Sequence, residues 1–386
     1  MTTIIDIRVR LVPFTSHEKR DSQGHQHVCE PYTSKMALLT LRADDGSEGH
    51  CFCTPETVRP YIVERHLKPI LLGQDAFQRE RLWHELVDAQ RSSGGHLTDK
   101  TVGIVETALW DLAGRKLGMP VYKLIGSYRD KVRAYGSIMC GDENEGGLAT
   151  PDDYASFAEK LVARGYKGIK LHTWNPPLAW APDPKRDAAA CAAVREAVGP
   201  DIALMLDPYH RYSRSDALWL GRQIEALNFL WYEEPMYEGS ISSYVWLSEN
   251  LGVAVCGPET IEGRQQIRAE WVKAGACDIL RAGVADIGGI SATLKVCALA
   301  ESFGMECEIH HAGPGALTVC AAARNVGWYE RGLLHPFIDY EAKPEYLLRR
   351  PDEMDDEGYV HMPQIPGVGF DIDFDYVERE GEPARD

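Results

Sequence analysis

The chain has 386 residues, of which 44% are hydrophobic, so it can bury a large core and predicts one large domain beside a smaller one. Its formal net charge of −17, with no basic stripe, argues against a nucleic-acid partner. No apolar run approaches membrane-spanning length and the N-terminus lacks the apolar core of a signal peptide, so we expect a soluble, cytoplasmic protein with no membrane partner.

The first part of the chain predicts an α+β domain. Hydrophobic residues alternate with period two over 4–12 and 36–42, which predicts two strands. The polar stretch between them, about 14–34, has little apolar content, and we interpret it as a mobile loop that carries His25. Residues 55–125 have apolar positions at three- and four-residue spacing, which predicts helices.

From about residue 130 the chain alternates between strand-like and helix-like segments. Eight strands are predicted, at 132–136, 168–172, 202–207, 228–233, 253–259, 277–283, 305–311 and 325–330. This alternation is typical of a parallel (β/α) barrel of the TIM type, whose active site lies at the carboxyl ends of the strands. A doubly wound sheet would normally show a glycine-rich phosphate turn, and no such motif occurs. The tail from residue 336 alternates again and could return to the first domain.

Three acidic residues end three consecutive predicted strands at a constant spacing. Asp207, Glu233 and Glu259 each follow an apolar run, at intervals of 26 residues. That period suits one strand, one helix and two loops, so parallel strands would bring the three carboxylates to the same end of the sheet. Converging carboxylates repel one another unless a hard divalent cation lies between them, and Mg²⁺ is the usual one.

Candidate acid/base residues are predicted to face the same mouth of the barrel. On the second barrel strand, GIKLH, alternation places Lys170 and His172 on the inward face. On the seventh strand, alternation directs His310 inward, and the adjacent His311 is the alternative. A lysine and two histidines that face three carboxylates favour acid/base catalysis over a purely structural role.

Further polar residues are candidate substrate ligands. His210 and Arg211 follow closely after the first of the three acids, and Arg281 lies on the inward face of the sixth strand. His25 and His50 belong to the N-terminal part and could reach the site from above. A polar and basic rim suits a polyhydroxylated acid, although His210 and Arg211 could equally do no more than open the next loop.

Taken together, these motifs resemble the enolase superfamily, and the mandelate racemase group in particular. The resemblance rests on the acidic triad, the EEP at 233–235, the KxH of the second strand, the histidine of the seventh strand and the WYER at 328–331. The segment ETALWDLAGRKLGMPVYKLIG at 106–126 also resembles the helix that joins cap to barrel in these enzymes. The similarity covers nearly the whole chain.

The resemblance implies a division of the chain and a role for each motif. Residues 1–128 would form a capping domain whose loops, at about 14–34 and 49–56, close over the substrate. Residues 129–335 would form the barrel, and 336–386 would return to the capping domain. Asp207, Glu233 and Glu259 would bind the metal ion. Lys170 and His172 would be the acid/base pair of the second strand. Glu330 would be the carboxyl group that hydrogen-bonds the substrate.

Two departures from the pattern affect the chemistry. His172 replaces the lysine that usually serves as the base on the second strand, and Gly283 stands where the family places an aspartate that pairs with the seventh-strand histidine. Without that partner His310 would lack the group that raises its basicity and fixes its tautomer. Asp286, in the following loop, is the alternative partner. We therefore expect the second-strand pair to take the α-proton and His310 to act mainly as an acid.

The chemistry shared by this family is removal of the proton next to a carboxylate, with Mg²⁺ stabilising the ene-diolate that results. We predict dehydration of a sugar acid, an aldonate or aldarate, to a 2-keto-3-deoxy acid. Racemisation, epimerisation or cycloisomerisation through the same intermediate is the alternative, and a barrel that binds a sugar acid without turnover is a third hypothesis. The resemblance also implies a homo-oligomer.

Overall fold

An antiparallel sheet forms the N-terminal part of the structure, a computed structural model that describes residues 1–21 and 24–385. Its strands are β1 (Ile4–Arg20), β2 (Gln26–Ala43) and β3 (Glu48–Cys53). The C-terminal strand Glu382–Pro383 adds to the free edge of β1, so the tail of the chain completes this sheet as predicted.

Most of the polar stretch at 14–34 is strand and not loop. Strands β1 and β2 continue through it as an antiparallel hairpin whose outermost pair is Arg20 with Gln26. The prediction of a mobile loop was wrong because the ladder is made by main-chain hydrogen bonds, which need no alternating apolar side chains where both faces are partly exposed. Residues 22 and 23 of the predicted loop lie outside the described residues. The second predicted loop, 49–56, mostly belongs to β3.

The helices predicted for 55–125 are present. They are α1 (Pro60–Ile62), α2 (Lys68–Leu71), α3 (Arg79–Gln90), α4 (Asp99–Leu117) and α5 (Val121–Leu124), with a turn of π-helix at Val63–Leu67 between the first two. The long helix α4 begins at Thr98, whose side chain accepts a hydrogen bond from the Thr101 N–H, and ends at Gly118 in a left-handed conformation. Most of α4 is buried, and it packs between the sheet and the barrel.

The second part of the chain is a parallel (β/α) barrel, which confirms the predicted fold class. Its strands are β4 (Lys131–Ile138), β5 (Gly168–His172), β6 (Ala203–Asp207), β7 (Trp231–Glu233), β8 (Ala254–Cys256), β9 (Ile279–Gly283), β10 (Glu306–His310) and β11 (Trp328–Leu334). Successive strands pair in sequence order from β4 to β10, and β11 pairs with β4. The barrel is nearly closed between β10 and β11, where the Cys307 N–H donates to the Asn325 carbonyl at 2.9 Å.

Helices follow the barrel strands and cover their outer faces. They are α6 (Pro151–Arg164), α7 (Pro184–Val198), α8 (Arg214–Ala226), α9 (Ile241–Ser248), α10 (Arg264–Ala274), α11 (Ile290–Ser302) and α12 (Pro314–Ala322). The first of these begins with a capping box between Thr150 and Asp153 and ends at the left-handed Gly165. Within the described part of the chain, no helix combines the length and apolar character needed to cross a bilayer.

The tail contains β12 (Tyr359–His361), α13 (Phe374–Glu380) and β13 (Glu382–Pro383). Strand β12 pairs antiparallel with β4 of the barrel before the chain reaches the N-terminal sheet. One continuous apolar core includes residues of both parts of the molecule, for example Leu109 of α4 and Leu280 of β9. The barrel and the N-terminal part are therefore packed together through a shared core.

Candidate active site

The three acids converge at the mouth of the barrel. Asp207 and Glu233 are the last residues of β6 and β7, and Glu259 lies three residues beyond the end of β8. One carboxylate oxygen of each residue lies within 4.8 Å of those of the other two. The regular spacing in the sequence therefore corresponds to three parallel strands that deliver their carboxylates to one place.

The chemistry of this donor set fits Mg²⁺, which is a hard cation that prefers carboxylate oxygen. Burial acts to raise the pKa of all three carboxyl groups, but His172 outweighs it at Asp207 and His310 outweighs it at Glu259, so the pKa is lowered at both. Burial raises the pKa of Glu233 to about 8, and the nearby Asp207 and Glu259 act in the same direction, against the lowering effect of Arg281 and Lys170. A divalent cation held by the three carboxylates would remove this penalty, because it stabilises their ionised forms.

Two buried cations lie among these carboxylates. The Lys170 Nζ is 3.1 Å from Glu233 Oε1, 2.9 Å from Glu330 Oε1 and 3.6 Å from Asp207 Oδ2. Burial and the nearby Arg281 act to lower the pKa of Lys170, but Glu233 and Glu330 outweigh them and raise it above the usual value. Lys170 is thus held as a cation at the cavity wall.

Arg281 is the second buried cation, and the structure does not support its prediction as a substrate ligand. Its Nε lies 2.6 Å from Glu233 Oε1 and 3.1 Å from Glu259 Oε2, and its Nη2 donates to Glu330 Oε2 at 2.7 Å. Its Nη1 donates to the Tyr135 hydroxyl at 3.3 Å. The buried guanidinium therefore contacts three carboxylates and compensates their charge.

His172 is held by two neighbouring barrel strands. Its Nδ1 is 2.6 Å from the Ile138 carbonyl oxygen of β4, and its Nε2 is 3.0 Å from Asp207 Oδ2 of β6. Because a carbonyl oxygen only accepts, Nδ1 carries a hydrogen and Nε2 is the atom that can exchange a proton with a substrate. The Tyr209 ring lies against this imidazole, with ring centroids 4.9 Å apart.

His310 is paired, contrary to the expectation drawn from Gly283. Its Nδ1 lies 2.8 Å from Asp286 Oδ2, and its Nε2 lies 3.3 Å from Glu259 Oε1. The alternative partner, Asp286, takes the place of the missing aspartate, because the loop after β9 turns back and brings Asp286 over the strand end. Burial acts to lower the pKa of His310, but Glu259 and Asp286 raise it to about 9. His310 is therefore stabilised as an imidazolium.

The neighbouring His311 has a different environment. Its backbone N–H donates to Glu330 Oε2 at 3.0 Å, and its ring stacks on His310 with centroids 3.7 Å apart. Burial, followed by the charge of His310, lowers the pKa of His311 to about 4. Strand alternation favoured His310 over His311 as the acid/base residue, and His310 is the one whose Nδ1 contacts the Asp286 carboxylate.

Glu330 is the carboxylate of β11, and both of its oxygens accept hydrogen bonds. Its Oε1 accepts from the Ser137 hydroxyl at 2.8 Å and from Lys170, and its Oε2 accepts from Arg281 and the His311 N–H. These contacts hold one carboxylate at the cavity wall in a defined orientation.

The groups described above surround a cavity of about 220 Å³. Six of the predicted site residues line it, namely Lys170, His172, Asp207, Glu259, His310 and Glu330. The other lining residues are Glu18, Gln26, Tyr209, His311, Ala312, Gly332 and Leu333. The cavity is therefore built by strand ends of the barrel and roofed by the hairpin of β1 and β2.

Comparison with known proteins places this architecture in a family. Residues 20–126 match the mandelate racemase/muconate lactonizing enzyme N-terminal domain, and residues 153–377 match the enolase C-terminal domain-like family. The chain belongs to the enolase superfamily. This confirms the resemblance inferred from the sequence motifs.

Three relatives illustrate the similarity. The crystal structure of D-glucarate dehydratase from Agrobacterium tumefaciens complexed with magnesium is 58% identical, covers 98% of this chain and 99% of that chain, and has a TM-score of 0.97. The arabinonate dehydratase of Saccharolobus solfataricus is 31% identical over 92% of this chain and 93% of the relative. The D-galactarolactone cycloisomerase of Agrobacterium fabrum is 29% identical over 88% of this chain and 89% of the relative.

Four other predicted substrate ligands of this superfamily member do not line the cavity. Arg211 Nη2 lies 3.2 Å from His25 Nε2, and the His25 ring packs edge-on against Tyr209, so this pair lies behind the cavity wall. The His210 backbone N–H donates to the Glu234 carbonyl oxygen, just beyond the end of β7, at 2.7 Å. His50 lies in the N-terminal sheet, with Nδ1 3.0 Å from the Thr40 hydroxyl. Burial lowers the pKa of His50 to about 3, as expected for a neutral core histidine.

Among the lining residues that sequence reasoning missed, three have polar side chains. Tyr209 lies two residues after a metal ligand, and that position is the signal that could have identified it. Glu18 and Gln26 lie in the stretch interpreted as a loop, and only the hairpin brings them over the barrel. Gln26 Nε2 donates to Glu18 Oε2 at 3.0 Å, and burial raises the pKa of Glu18.

Proposed function

We propose that this protein is a Mg²⁺-dependent sugar-acid dehydratase and that D-glucarate is the first substrate to test. The observation that carries the proposal is the placement of His172 and His310 around the carboxylate triad, each with a different partner at Nδ1. The 58% identity to a D-glucarate dehydratase supports the choice of substrate.

Asp207, Glu233 and Glu259 are the residues that would hold Mg²⁺. When bound, the cation stabilises the negative charge that develops on the substrate carboxylate. Lys170 adds a fixed positive charge at the same wall, because two glutamates hold its ammonium group in place. This arrangement lets an overall acidic protein accept an anionic substrate.

His172 is assigned the abstraction of the α-proton. Its Nδ1–H is bound to the Ile138 backbone carbonyl, which leaves Nε2 as the atom that takes the proton, 3.0 Å from the Asp207 carboxylate. A divalent cation held by Asp207 would offset the charge of that carboxylate and so favour the neutral imidazole. The proton leaves C2 of the substrate for Nε2, and the electron pair of the C–H bond moves toward the carboxylate.

His310 is assigned the opposite step. The Asp286 carboxylate stabilises its protonated form, so Nε2 can deliver a proton to the C3 hydroxyl, which leaves as water. The enol that results tautomerises to the 2-keto-3-deoxy acid. Glu330, held by Ser137 and Arg281, supplies a carboxylate that can accept a hydrogen bond from a substrate hydroxyl.

The activity is tested with purified protein and four acids: D-glucarate, D-galactonate, D-gluconate and arabinonate. Formation of a 2-keto-3-deoxy acid is measured with Mg²⁺ and in excess chelator. We expect keto-acid formation from at least one acid, and its loss in chelator. D-galactarolactone is included because of the cycloisomerase relative. Its conversion, without water loss from any of the acids, would reject dehydration in favour of isomerisation.

The proposal also includes a cytoplasmic location for the enzyme. All ten cysteines are unpaired and nine of them are buried, which suits the reducing cytoplasm. A homo-oligomer is part of the same proposal, on the ground of family resemblance. Size-exclusion chromatography with light scattering tests it, and a single mass near 43.1 kDa would reject it.

A further inference from the structure

The carboxylate that contacts His310 comes from an unexpected position in the chain. Gly283 is the last residue of β9, and its carbonyl oxygen accepts hydrogen bonds from the N–H groups of both Asp286 and Ile287, at 3.1 Å each. This turn folds the loop back, so that Asp286 Oδ2 reaches His310 Nδ1 at 2.8 Å. Its other oxygen, Oδ1, lies 3.6 Å from Nζ of Lys100.

The space that Asp286 occupies is the space that a side chain at position 283 would fill. A Cβ atom added to Gly283 would lie 2.1 Å from Asp286 Oδ2 and 3.2 Å from His310 Nδ1. Gly283 does not have a positive φ, so its backbone conformation alone does not require glycine. The need for glycine comes from the carboxylate placed above it.

The capping domain holds this loop in place. A Cβ atom on Gly103 of α4 would lie 2.9 Å from the Val284 carbonyl oxygen, so the helix and the loop are in close contact. The Glu106 carboxylate, one turn further along α4, accepts from the Ile290 N–H at 2.8 Å. The loop between β9 and α11 is thus fixed at both ends by one buried helix.

We infer that Asp286 is the positioning residue for His310 and that it forms an interdependent pair with Gly283. A carboxylate can approach the histidine from position 286 only while position 283 has no side chain, and a carboxylate at 283 would need position 286 to be small. The inference rests on the proposed function insofar as His310 is the acid of the dehydration.

The test is to move the carboxylate from position 286 to position 283. In Asp286→Asn and Asp286→Ala, we expect kcat for dehydration to fall about 100-fold while KM and α-proton exchange change little, because proton delivery alone is affected. Gly283→Asp alone should also lose activity, since two carboxylates then compete for one space. The double variant Gly283→Asp/Asp286→Ala should recover kcat to within about tenfold of wild type.

A second readout needs no substrate. In the Mg²⁺-loaded enzyme, the His310 Nδ1–H donated to a carboxylate should give a downfield proton resonance, assigned by its absence in His310→Asn. We expect the resonance to disappear in Asp286→Ala and to return in the double variant. The control Asp278→Ala, which changes a loop carboxylate at the opposite end of β9, should retain both resonance and activity.

Two results would overturn the inference: wild-type kcat in Asp286→Asn, or a double variant that regains neither activity nor the resonance. Thermal denaturation of each variant identifies loss of folding, and Asp286→Asn preserves side-chain volume should Asp286→Ala fail to fold. If the resonances behave as expected but no sugar acid is turned over by wild type, the proposed function fails while the pairing stands.

Discussion

The two sides of the barrel mouth hold their acid/base histidines in different ways. His172 is fixed by the strands on either side of it, through the Ile138 carbonyl and the Asp207 carboxylate. His310 is fixed by a loop carboxylate, Asp286, and that loop is packed against helix α4 of the capping domain. The hydrogen-bond partners of His172 therefore come from the barrel strands, whereas the partner of His310 depends on a loop that contacts an N-terminal helix.

This difference predicts which step each part of the molecule controls. Changes in helix α4 should reach the His310 side and leave the His172 side intact, because the two groups that hold His172 belong to β4 and β6 of the barrel. The carboxylate triad is common to both sides. Variants can therefore be ordered by how much of the site they affect.

The largest effect is expected from the triad, which serves both sides. Asp207→Asn and Glu259→Gln should each lower kcat by about a thousandfold or more, because several kcal/mol of charge stabilisation is lost with the metal. Isothermal titration should show weakened Mg²⁺ binding. The exposed Glu262→Gln, three residues from Glu259, is the control. Full activity of a triad variant in chelator would show that neither side of the site needs the metal.

The next effect separates the two sides. His172→Asn should abolish exchange of the substrate α-hydrogen in D₂O, whereas His310→Asn should retain exchange and lower product formation by about 10²- to 10⁴-fold. Both are measured by NMR of the recovered substrate and by keto-acid assay. If His310→Asn alone abolishes exchange, the roles of the two histidines are reversed.

A smaller effect tests the domain contact. Gly103→Ala places a methyl group against the Val284 carbonyl and should displace the loop that carries Asp286, lowering dehydration about tenfold with exchange unaffected. Lys116→Ala, on an exposed turn of the same helix, controls for general damage to α4. An equal loss of exchange and dehydration would show that the cap supports both sides.

The smallest effect is expected at the hairpin that roofs the cavity. Gln26→Ala should raise KM about fivefold, the equivalent of one hydrogen bond of about 1 kcal/mol, and leave Mg²⁺ affinity unchanged. Steady-state kinetics and metal titration measure the two quantities. Glu30→Ala, exposed on the same strand, is the control. An unchanged KM would show that the hairpin does not contact the substrate.

Much of the barrel and its metal site could be predicted from the sequence because both depend on local regularity. Asp207, Glu233 and Glu259 end strands that recur with one period, and parallel strands of one sheet must end on the same side. Alternation within β5 likewise places Lys170 and His172 together. The boundaries proposed at residues 128 and 335 stay predictions.

The contacts that the sequence could not determine are those between segments far apart in the chain. Glu18 lines the cavity because main-chain pairing extends a polar hairpin over the barrel. Hydrophobic periodicity in the sequence does not reveal such pairing. Arg281 points inward as alternation predicts, but its contacts are with Glu233 and Glu330, for which it acts as a buried counter-charge.

The sequence by itself determined the strand order, the triad and the inward face of each barrel strand, because period and alternation are local properties of the backbone. Only the tertiary structure decided how His310 is held. Position 283 is a glycine in the chain, and the sequence offered Asp286 only as an alternative partner, because it does not show that the turn after Gly283 returns a carboxylate to the same place. That return depends on a helix about 180 residues earlier, Asp99–Leu117, packing against the loop.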